Sequence, residues 1–548
     1  MSKSSRRKFI VGAGAGVLSL SSIDLFTSAF LQGLVESVQA QSMEPNEKIF
    51  LNFWLGGGIA RWMWDLPLRP NGISDYYVQN IMMKNCLVNN NGKTELDFKL
   101  DKHGDYYINP FWQGDVPSSS GGLRPAKELL DNMLIIRGIS ALSDGHRQNT
   151  KYVNRPGSCR FSLSGMASDH GNSFLPAIQT KGADFGHLAP SGTSILNLEV
   201  GPDVLSKMFS AFKGIRANSD FASSMLHSKI DELLKHIASQ RNTKEKNSLE
   251  LLLKDKEKTV KLFDQQFGDL TAVYDTLFQK YKNLITRSFN ESSIPGIDDI
   301  TIHPENHTRF NVDYKIPVDC TLNSGINTET HVDSMAHSFA IAEYCIANSI
   351  TNSLTLECGA IYNITYANHY PKGKTEKAGP FTKRIVLDSH FLGSLSTVYF
   401  MGIYLKAYTA CILEMKDFLK ANNKWDKTVI YNSSEFGRNP RREESGSDHG
   451  WRGSSESIVS GMIPSLQIMG NIKADPPDHK TGGGHWGVAA NVSELNNRPI
   501  NRGNVSSTIC TMLNIPLIAK NDQSLVSMVN GKTNPLLGRP VNKKADDD

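Results

Sequence analysis

Near-continuous apolar runs that stop at glycine or at small polar residues recur along the chain. Residues 48–55 form one such run, which ends at Gly56-Gly57-Gly58, and residues 428–431 form another, which breaks into Asn432-Ser433-Ser434. A third run, at residues 133–136, ends before Gly138. Runs without polar alternation are typical of strands that are buried on both faces of a parallel sheet. The pattern therefore predicts central strands whose carboxyl ends lead into polar or glycine-rich loops.

Helical patterns separate these strands. Residues 221–290 carry apolar positions at helical spacing among Lys and Glu, which predicts two long antiparallel helices packed as a lid or arm, with a heptad-driven dimer arm as the alternative. Further helices are expected at 392–419 and 505–513. Alternation of strands and helices predicts an α/β fold with a doubly wound, mostly parallel sheet and one long helical insertion.

The same pattern divides the chain into four parts. These are a leader at 1–40, the first half of an α/β domain at 41–220, a helical insertion with its connector at 221–330, and the second half of the domain at 331–548.

The leader carries a twin-arginine signal, SRRKFI at residues 5–10, followed by a mild apolar run and by the small-residue cleavage sequence Val38-Gln39-Ala40. An anchor helix is the alternative, but Asp24 and several serines interrupt the run. We therefore expect the twin-arginine translocase to export the folded protein to the periplasm or the exterior, with no stable membrane span after cleavage.

Composition narrows the class of protein. Hydrophobic residues make up 39% and charged residues 21% of the chain, which argues against disorder and against a multi-span membrane protein. The net charge is +4 without a basic stripe, so no nucleic-acid partner is expected. Seven cysteines include no Cys-x-x-Cys pair, which argues against a zinc-thiolate or haem-attachment site; Cys345, Cys358 and Cys411 lie in apolar segments and are expected in the core.

Residues suited to divalent-metal binding collect in the loops that adjoin these elements. Two cations bound close together need several Asp and His side chains from different strand ends. The candidate metal ligands are Asp388, His390, Asp448, His449 and His485. Zinc, calcium, manganese or magnesium would suit such a set. The alternative is a solvated, turn-rich loop.

Three further residues complete the candidate site. Arg438 is expected to grip an anionic group, Glu435 to position a ligand, and His146 to act as a ligand or a substrate contact. The alternatives are that Glu435 caps the following turn, that Arg438 pairs with Glu435 or Asp448, and that His146 is an ordinary surface or hydrogen-bonded histidine.

The order of these residues resembles the carboxyl-terminal half of the alkaline phosphatase and sulfatase superfamily. A closer similarity is to a twin-arginine-exported, sulfatase-related bacterial family known as domain of unknown function 1501. The motifs that carry it are Leu55–Gly58, Trp64–Pro67, Arg137 followed by His146, Asp388–His390, Ser434–Pro440 with Ser447–Gly450, and Ser507–Ile515. The segment 221–329 has no counterpart.

The resemblance implies an alkaline phosphatase-like fold and an exported metal-dependent hydrolase of a phosphate or sulfate ester, either a small molecule or a glycan. One departure is that the superfamily ends its first strand on a metal-binding Asp, whereas here Gly58-Ile59-Ala60 follows the strand and Asp65 is the nearest carboxylate. No nucleophile is evident. The alternative is a non-catalytic exported binding or assembly protein with a degenerate site, whose protein partner docks on the helices at 221–290.

Overall fold

The computed structural model describes the chain in segments. These are residues 47–61, 64–65, 101–104, 106–108, 110–157, 159–171, 173, 175, 177–180, 184–199, 272–288, 291, 326–327, 332–358, 361–366, 381–388, 394–440, 447–450, 452–473 and 488–538. The predicted leader lies outside them, as do His390 and His485.

Short and long strands alternate with helices along the described residues. The strands are β1 (Ile49–Trp54), β2 (Asp101–His103), β3 (Tyr106–Ile108), β4 (Asp115–Pro117), β5 (Leu123–Pro125), β6 (Met133–Ser140), β7 (Ile178–Thr180), β8 (Leu196–Leu198), β9 (Ile326–Asn327), β10 (Ser353–Glu357), β11 (Ile361–Tyr366), β12 (Phe381–Val386), β13 (Thr428–Ser433), β14 (Gly437–Pro440), β15 (Ser447–Gly450), β16 (Ser454–Val459), β17 (Gln467–Met469), β18 (Ile472–Lys473), β19 (Val488–Ala489), β20 (Asn491–Val492), β21 (Arg498–Asn501), β22 (Val526–Val529) and β23 (Lys532–Pro535). The α-helices are α1 (His146–Asn154), α2 (Leu163–Asp169), α3 (272–288), α4 (Val332–Ala347), α5 (Ser394–Ala421) and α6 (Arg502–Leu513).

A mixed, mostly parallel sheet forms the centre of the domain. Its order is β20-β21-β6-β16-β13-β1-β10-β7-β8, and β17 also pairs with β6. β1 runs parallel to β10 and β13, while β16 is antiparallel to both β13 and β6, so β6 points the same way as β1. This sheet confirms the α/β class expected from the sequence.

Apolar packing covers both faces of the sheet. Leu51 and Phe53 of β1 join the cluster that includes α3, α4 and α5. Phe50 and Trp54 join the opposite cluster, which includes α1, α2 and α6. Successive side chains of a strand point to opposite faces, so a strand covered on both faces is apolar at most positions. This explains why β1 is a near-continuous apolar run, in which Asn52 is the one polar residue.

The predicted long and closing helices are confirmed. α5 spans Ser394–Ala421, and α6 spans Arg502–Leu513 with Asn501 as its N-cap in a capping box with Asn504. Of the predicted helical arm, residues 272–288 are helical, and Tyr281 packs against Phe339 of α4 with ring centroids 5.3 Å apart. The rest of that arm lies outside the described residues, so the two-helix arrangement stays a prediction.

The cysteines expected in the core are buried. Cys345, Cys358 and Cys411 are each 0% exposed, and they are free thiols. Among the helices that the structure describes, none combines the length and the apolar character needed to cross a membrane.

Candidate metal centre

The carboxyl ends of β1, β6 and β13 meet at one edge of the sheet because these strands run in the same direction. The end of β1 leads into the turn Gly56–Gly58, the end of β6 leads to His146 at the start of α1, and the end of β13 leads to Glu435. Ligand sites in open α/β sheets gather at this kind of edge.

The glycine turn permits close approach of two other segments. Gly57 has a φ of 100°, and a Cβ there would lie 2.8 Å from the backbone nitrogen of Asp388. Gly58 has a φ of 69°, and its Cβ would lie 2.5 Å from the ring of Phe436. Any other residue would therefore be strained and would push these segments away. Glycine at the end of β1 is what lets Asp388 reach the site.

Local hydrogen bonds fix the loop before His146. Asn149 of α1 donates from its side-chain amide to the carbonyls of Ser143 (2.6 Å) and Gly145 (2.9 Å), and it accepts from the backbone N–H of Leu142 (3.1 Å). These contacts set where α1 begins and thereby where the His146 ring projects.

Three side chains form a group with the composition of a metal site. Ligand atoms of His146, Asp388 and His449 all lie within 4.8 Å of one another. Nε2 of His146 is 3.7 Å from Oδ2 of Asp388, and the two imidazole rings meet edge to face with centroids 4.6 Å apart. Phe436 packs beside both rings, at 4.9 Å from His146 and 4.1 Å from His449.

The Nδ1 atoms of both imidazoles have hydrogen-bond partners. Nδ1 of His146 lies 2.7 Å from Oε1 of Glu435, and Nδ1 of His449 donates to the backbone carbonyl of Asp144. A ring whose Nδ1–H donates presents the lone pair of Nε2 to a cation. The hydrogen bonds therefore select the same coordinating nitrogen in both histidines.

Glu435 is an acceptor shared by three elements of the site. Its side chain is 3% exposed, and Oε1 accepts from the Gly57 N–H (2.7 Å) as well as from His146. Oε2 accepts from the Ser434 hydroxyl at 3.2 Å. Glu435 thus ties the glycine turn to α1.

Arg438 lies beneath Asp388, with a side chain that is 0% exposed. Its Nε donates to the Gly58 carbonyl (2.8 Å), and Nη2 donates to the Gly57 carbonyl (2.5 Å) and to Oδ1 of Asp388. In the β14–β15 hairpin, Arg438 stands opposite His449. In this arrangement Arg438 orients Asp388 and the glycine turn.

The structure thus brings together Asp388, His449, His146, Glu435 and Arg438. The backbone of Asp448 lies in β15 opposite Asn439. His146 was expected to be a ligand or a substrate contact, and the structure places its ring among the ligand atoms. Its signal in the sequence was its position just after β6.

Asp65, the carboxylate nearest to the first strand in sequence, belongs to a separate contact. It is 0% exposed and pairs with Arg61, which also donates to the carbonyl of Asn432 at 3.1 Å. Through Arg61, Asp65 therefore fixes the loop after β1 against β13. The carboxylate that reaches the edge of the sheet is that of Asp388.

Three comparisons, with protein-family models, with curated proteins and with solved structures, find no match to this chain. The functional inference therefore depends on the geometry of His146, Asp388 and His449 and on the motifs that contain them.

Proposed function

We propose that the protein is an exported metal-dependent hydrolase of a phosphate or sulfate ester, built on an alkaline phosphatase-like α/β domain. The observation that carries the proposal is the group His146, Asp388 and His449, whose ligand atoms lie within 4.8 Å of one another. Two imidazoles and one carboxylate make up the protein ligands of several catalytic zinc sites, which keep a further position open for water or substrate.

The surroundings of the two imidazoles support a divalent cation. Metal-bound histidines commonly donate their second N–H to a carboxylate or a backbone carbonyl. His146 has the Glu435 carboxylate in that position, and His449 has the carbonyl of Asp144. His146 and Asp388 have side chains that are 39% and 40% exposed, so solvent and substrate can reach them. The donor set, its outer partners and its access all fit a metal site.

The side chains around the proposed metal site hold its ligands in position. A divalent cation bound here would act as a Lewis acid toward the ester oxygens and would lower the pKa of a bound water. Arg438 holds Asp388, and Glu435 holds His146, so both side chains are set before substrate binds. The resemblance to the sulfatase-related family supports an ester of phosphate or sulfate, and the twin-arginine leader supports export.

Water is the proposed nucleophile. The Ser433 hydroxyl donates to Oδ1 of Asn52 at 2.6 Å, and the Ser434 hydroxyl shares its one proton between the carbonyl of Leu55 (2.8 Å) and Oε2 of Glu435 (3.2 Å). Both serines are 0% exposed. The hydroxyls at the end of β13 are therefore engaged within the sheet, so we propose direct attack by water without a covalent intermediate on either serine.

The test uses the full chain purified after export. We expect bound zinc, manganese, calcium or magnesium, and turnover of p-nitrophenyl phosphate or p-nitrophenyl sulfate that a chelator removes. His449→Ala should lose both metal and turnover. His103→Ala is the matched control, because His103 pairs with exposed Asp131 at 2.8 Å in a separate hairpin, and it should keep both. Metal-free protein, or turnover that chelator leaves unchanged, would contradict the proposal; bound metal without turnover would favour the non-catalytic alternative.

A further inference from the structure

Glu357 places a second carboxyl group against the glycine turn. It is the last residue of β10, and its Cα pairs with that of Trp54, two residues before the turn. Oε1 of Glu357 lies 3.6 Å from the position that a Cβ would take on Gly56. The next residue of the turn, Gly57, donates its N–H to Glu435. Two carboxyl groups therefore flank one short turn at the same edge of the sheet.

The two carboxyl groups differ in their hydrogen bonds. Glu435 accepts from Gly57, His146 and Ser434. Glu357 is satisfied at its backbone, where its N–H donates to Thr180 Oγ1 (2.8 Å) and its carbonyl accepts from Ser338 Oγ (2.7 Å). Across the segments that the structure describes, no residue donates to the Glu357 carboxyl. Donors favour the ionised form of a carboxyl, and without them the Glu357 carboxyl favours its protonated form.

The electrostatic surroundings of the Glu357 carboxyl also favour its protonated form. Burial raises the pKa of the Glu357 carboxyl, and the negative charge of Glu435 raises it further. The other ionisable neighbour is the Cys358 thiol, whose own pKa is raised well above its usual value by burial, so it remains neutral. Neighbouring carboxyls with different environments are a recurrent arrangement for dividing acid and base roles.

We propose that Glu357 is a catalytic residue, the general acid that protonates the leaving oxygen of the ester. This role depends on the hydrolase function proposed above. The oxygen of water forms a bond to phosphorus or sulfur while the bond to the ester oxygen breaks. That ester oxygen takes the proton of Glu357 and departs as an alcohol. The attacking water releases one proton to solvent, and solvent reprotonates Glu357 for the next turnover.

The first test needs no activity and measures denaturant unfolding of the full chain in chelator between pH 5 and pH 9. A carboxyl whose pKa is raised by folding stabilises the fold while protonated, and this contribution is lost as the pH rises through the folded pKa. Since Gln cannot ionise, Glu357→Gln should gain stability relative to wild type as the pH rises. A difference that does not change with pH would show that folding does not raise the Glu357 pKa, and it would overturn the role of Glu357 as the acid.

Glu494→Gln provides the control of opposite sign. Hydrogen bonds from the Ser493 hydroxyl and from the backbone N–H groups of Gly538 and Glu494 lower the pKa of Glu494. Its contribution is present at high pH and lost as the pH falls. Because this change falls below the usual Glu pKa of 4.5, the control is measured from pH 3 to pH 6, where Glu494→Gln should lose stability relative to wild type as the pH rises.

The second test uses the metal-loaded full chain and two esters of the class that wild type hydrolyses, one with a p-nitrophenyl and one with an alkyl leaving group. A general acid matters most for the poor leaving group, so Glu357→Gln should lower kcat/KM for the alkyl ester by about 100-fold or more, and for the p-nitrophenyl ester by much less. Equal losses on both esters, or none, would overturn the role of Glu357. Absence of wild-type turnover would instead overturn the hydrolase function, and this outcome is visible without any variant.

Discussion

The edge of the sheet at the ends of β1 and β13 and the interface between α3 and α4 both collect histidine and glutamate, but the two regions use them differently. At the edge, His146 is 39% exposed and contacts the carboxylates of Glu435 and Asp388. At the interface, His337 is 3% exposed, its ring stacks on Phe278 at 4.1 Å, and its Nδ1 lies 2.8 Å from the Tyr274 hydroxyl. Burial lowers the pKa of His337 to about 4, so it stays neutral.

The carboxylates of the two regions differ in the same way. Beneath α3, Glu343 accepts from Lys280 at 2.6 Å and from the Tyr281 hydroxyl at 2.6 Å, and Glu414 lies 3.2 Å from Lys280. The charges there compensate one another inside the packed interface. At the edge, both carboxylates contact the His146 imidazole, and Asp388, which also pairs with Arg438, is 40% exposed. The partners of a side chain and its access to solvent therefore separate a candidate ligand from a structural contact, and residue type alone does not.

The largest contrast should appear in metal affinity. His146→Ala, Asp388→Asn and His449→Ala each remove one ligand atom. We expect each to weaken zinc binding, measured by calorimetric titration, by more than the roughly 100-fold that outer-shell substitutions reach. His337→Phe should bind zinc as wild type does. Wild-type affinity in all three ligand variants would remove the distinction between the two regions.

The free energy of unfolding, unlike metal affinity, should depend on the charged residues at the interface between α3 and α4. Lys280→Met leaves Glu343 and Glu414 without their cation. Breaking a buried pair costs roughly 3–5 kcal/mol, and partial exposure of Lys280 lowers the expected loss of unfolding free energy to about 2 kcal/mol. Lys282→Met is the matched control, because Lys282 pairs with half-exposed Asp333 at 3.1 Å and should cost less than about 1 kcal/mol. Denaturant titration measures the loss of unfolding free energy in both variants. An equal loss would show that the buried cluster stabilises the fold no more than the exposed pair does.

Glu435→Gln tests the outer partner of His146. Gln keeps an acceptor oxygen for His146 and Gly57 but loses the negative charge, so zinc affinity should fall by about tenfold, the low end of the outer-shell range. Glu128→Gln, which changes a surface carboxylate paired with Arg124, should leave the affinity unchanged. If Glu435→Gln also binds zinc as wild type does, Glu435 does not support the ligand.

The smallest expected effect is the pH dependence contributed by His337. Its folded pKa of about 4 lies below its unfolded value of 6.5, so the unfolded chain binds the extra proton between these values and stability falls as the pH drops through that window. On going from pH 7.5 to pH 5.5, wild type should lose about 1 kcal/mol more unfolding free energy than His337→Phe. Identical losses would contradict the assignment of His337 as a neutral structural residue.

Much of the fold followed from local sequence. β1 and β13 are strands because their runs are apolar on both faces, and α5 and α6 follow from long helical patterns. Asp388 and His449 were candidates because each belongs to a polar segment with a recognisable motif. In these cases the residues next to one another in the sequence are enough to predict the element or the candidate ligand.

The remaining features depend on contacts between distant segments. His146 follows β6, Asp388 follows β12 and His449 lies in β15, so only the folded sheet brings them within reach of one another. The burial of Arg438 likewise depends on the close approach of Gly57 and Gly58, which a linear pattern does not reveal. Glu357 gave no signal because it is the last residue of a short strand without any motif around it.

X-ray absorption spectroscopy of the zinc-loaded full chain at neutral pH tests the central claim most directly, since it reports the atoms bound to the metal. We expect two imidazole nitrogens at about 2.0 Å together with oxygen ligands, and the loss of one imidazole in His449→Ala. A zinc shell without imidazole scattering, or one that His146→Ala and His449→Ala both leave unchanged, would contradict it.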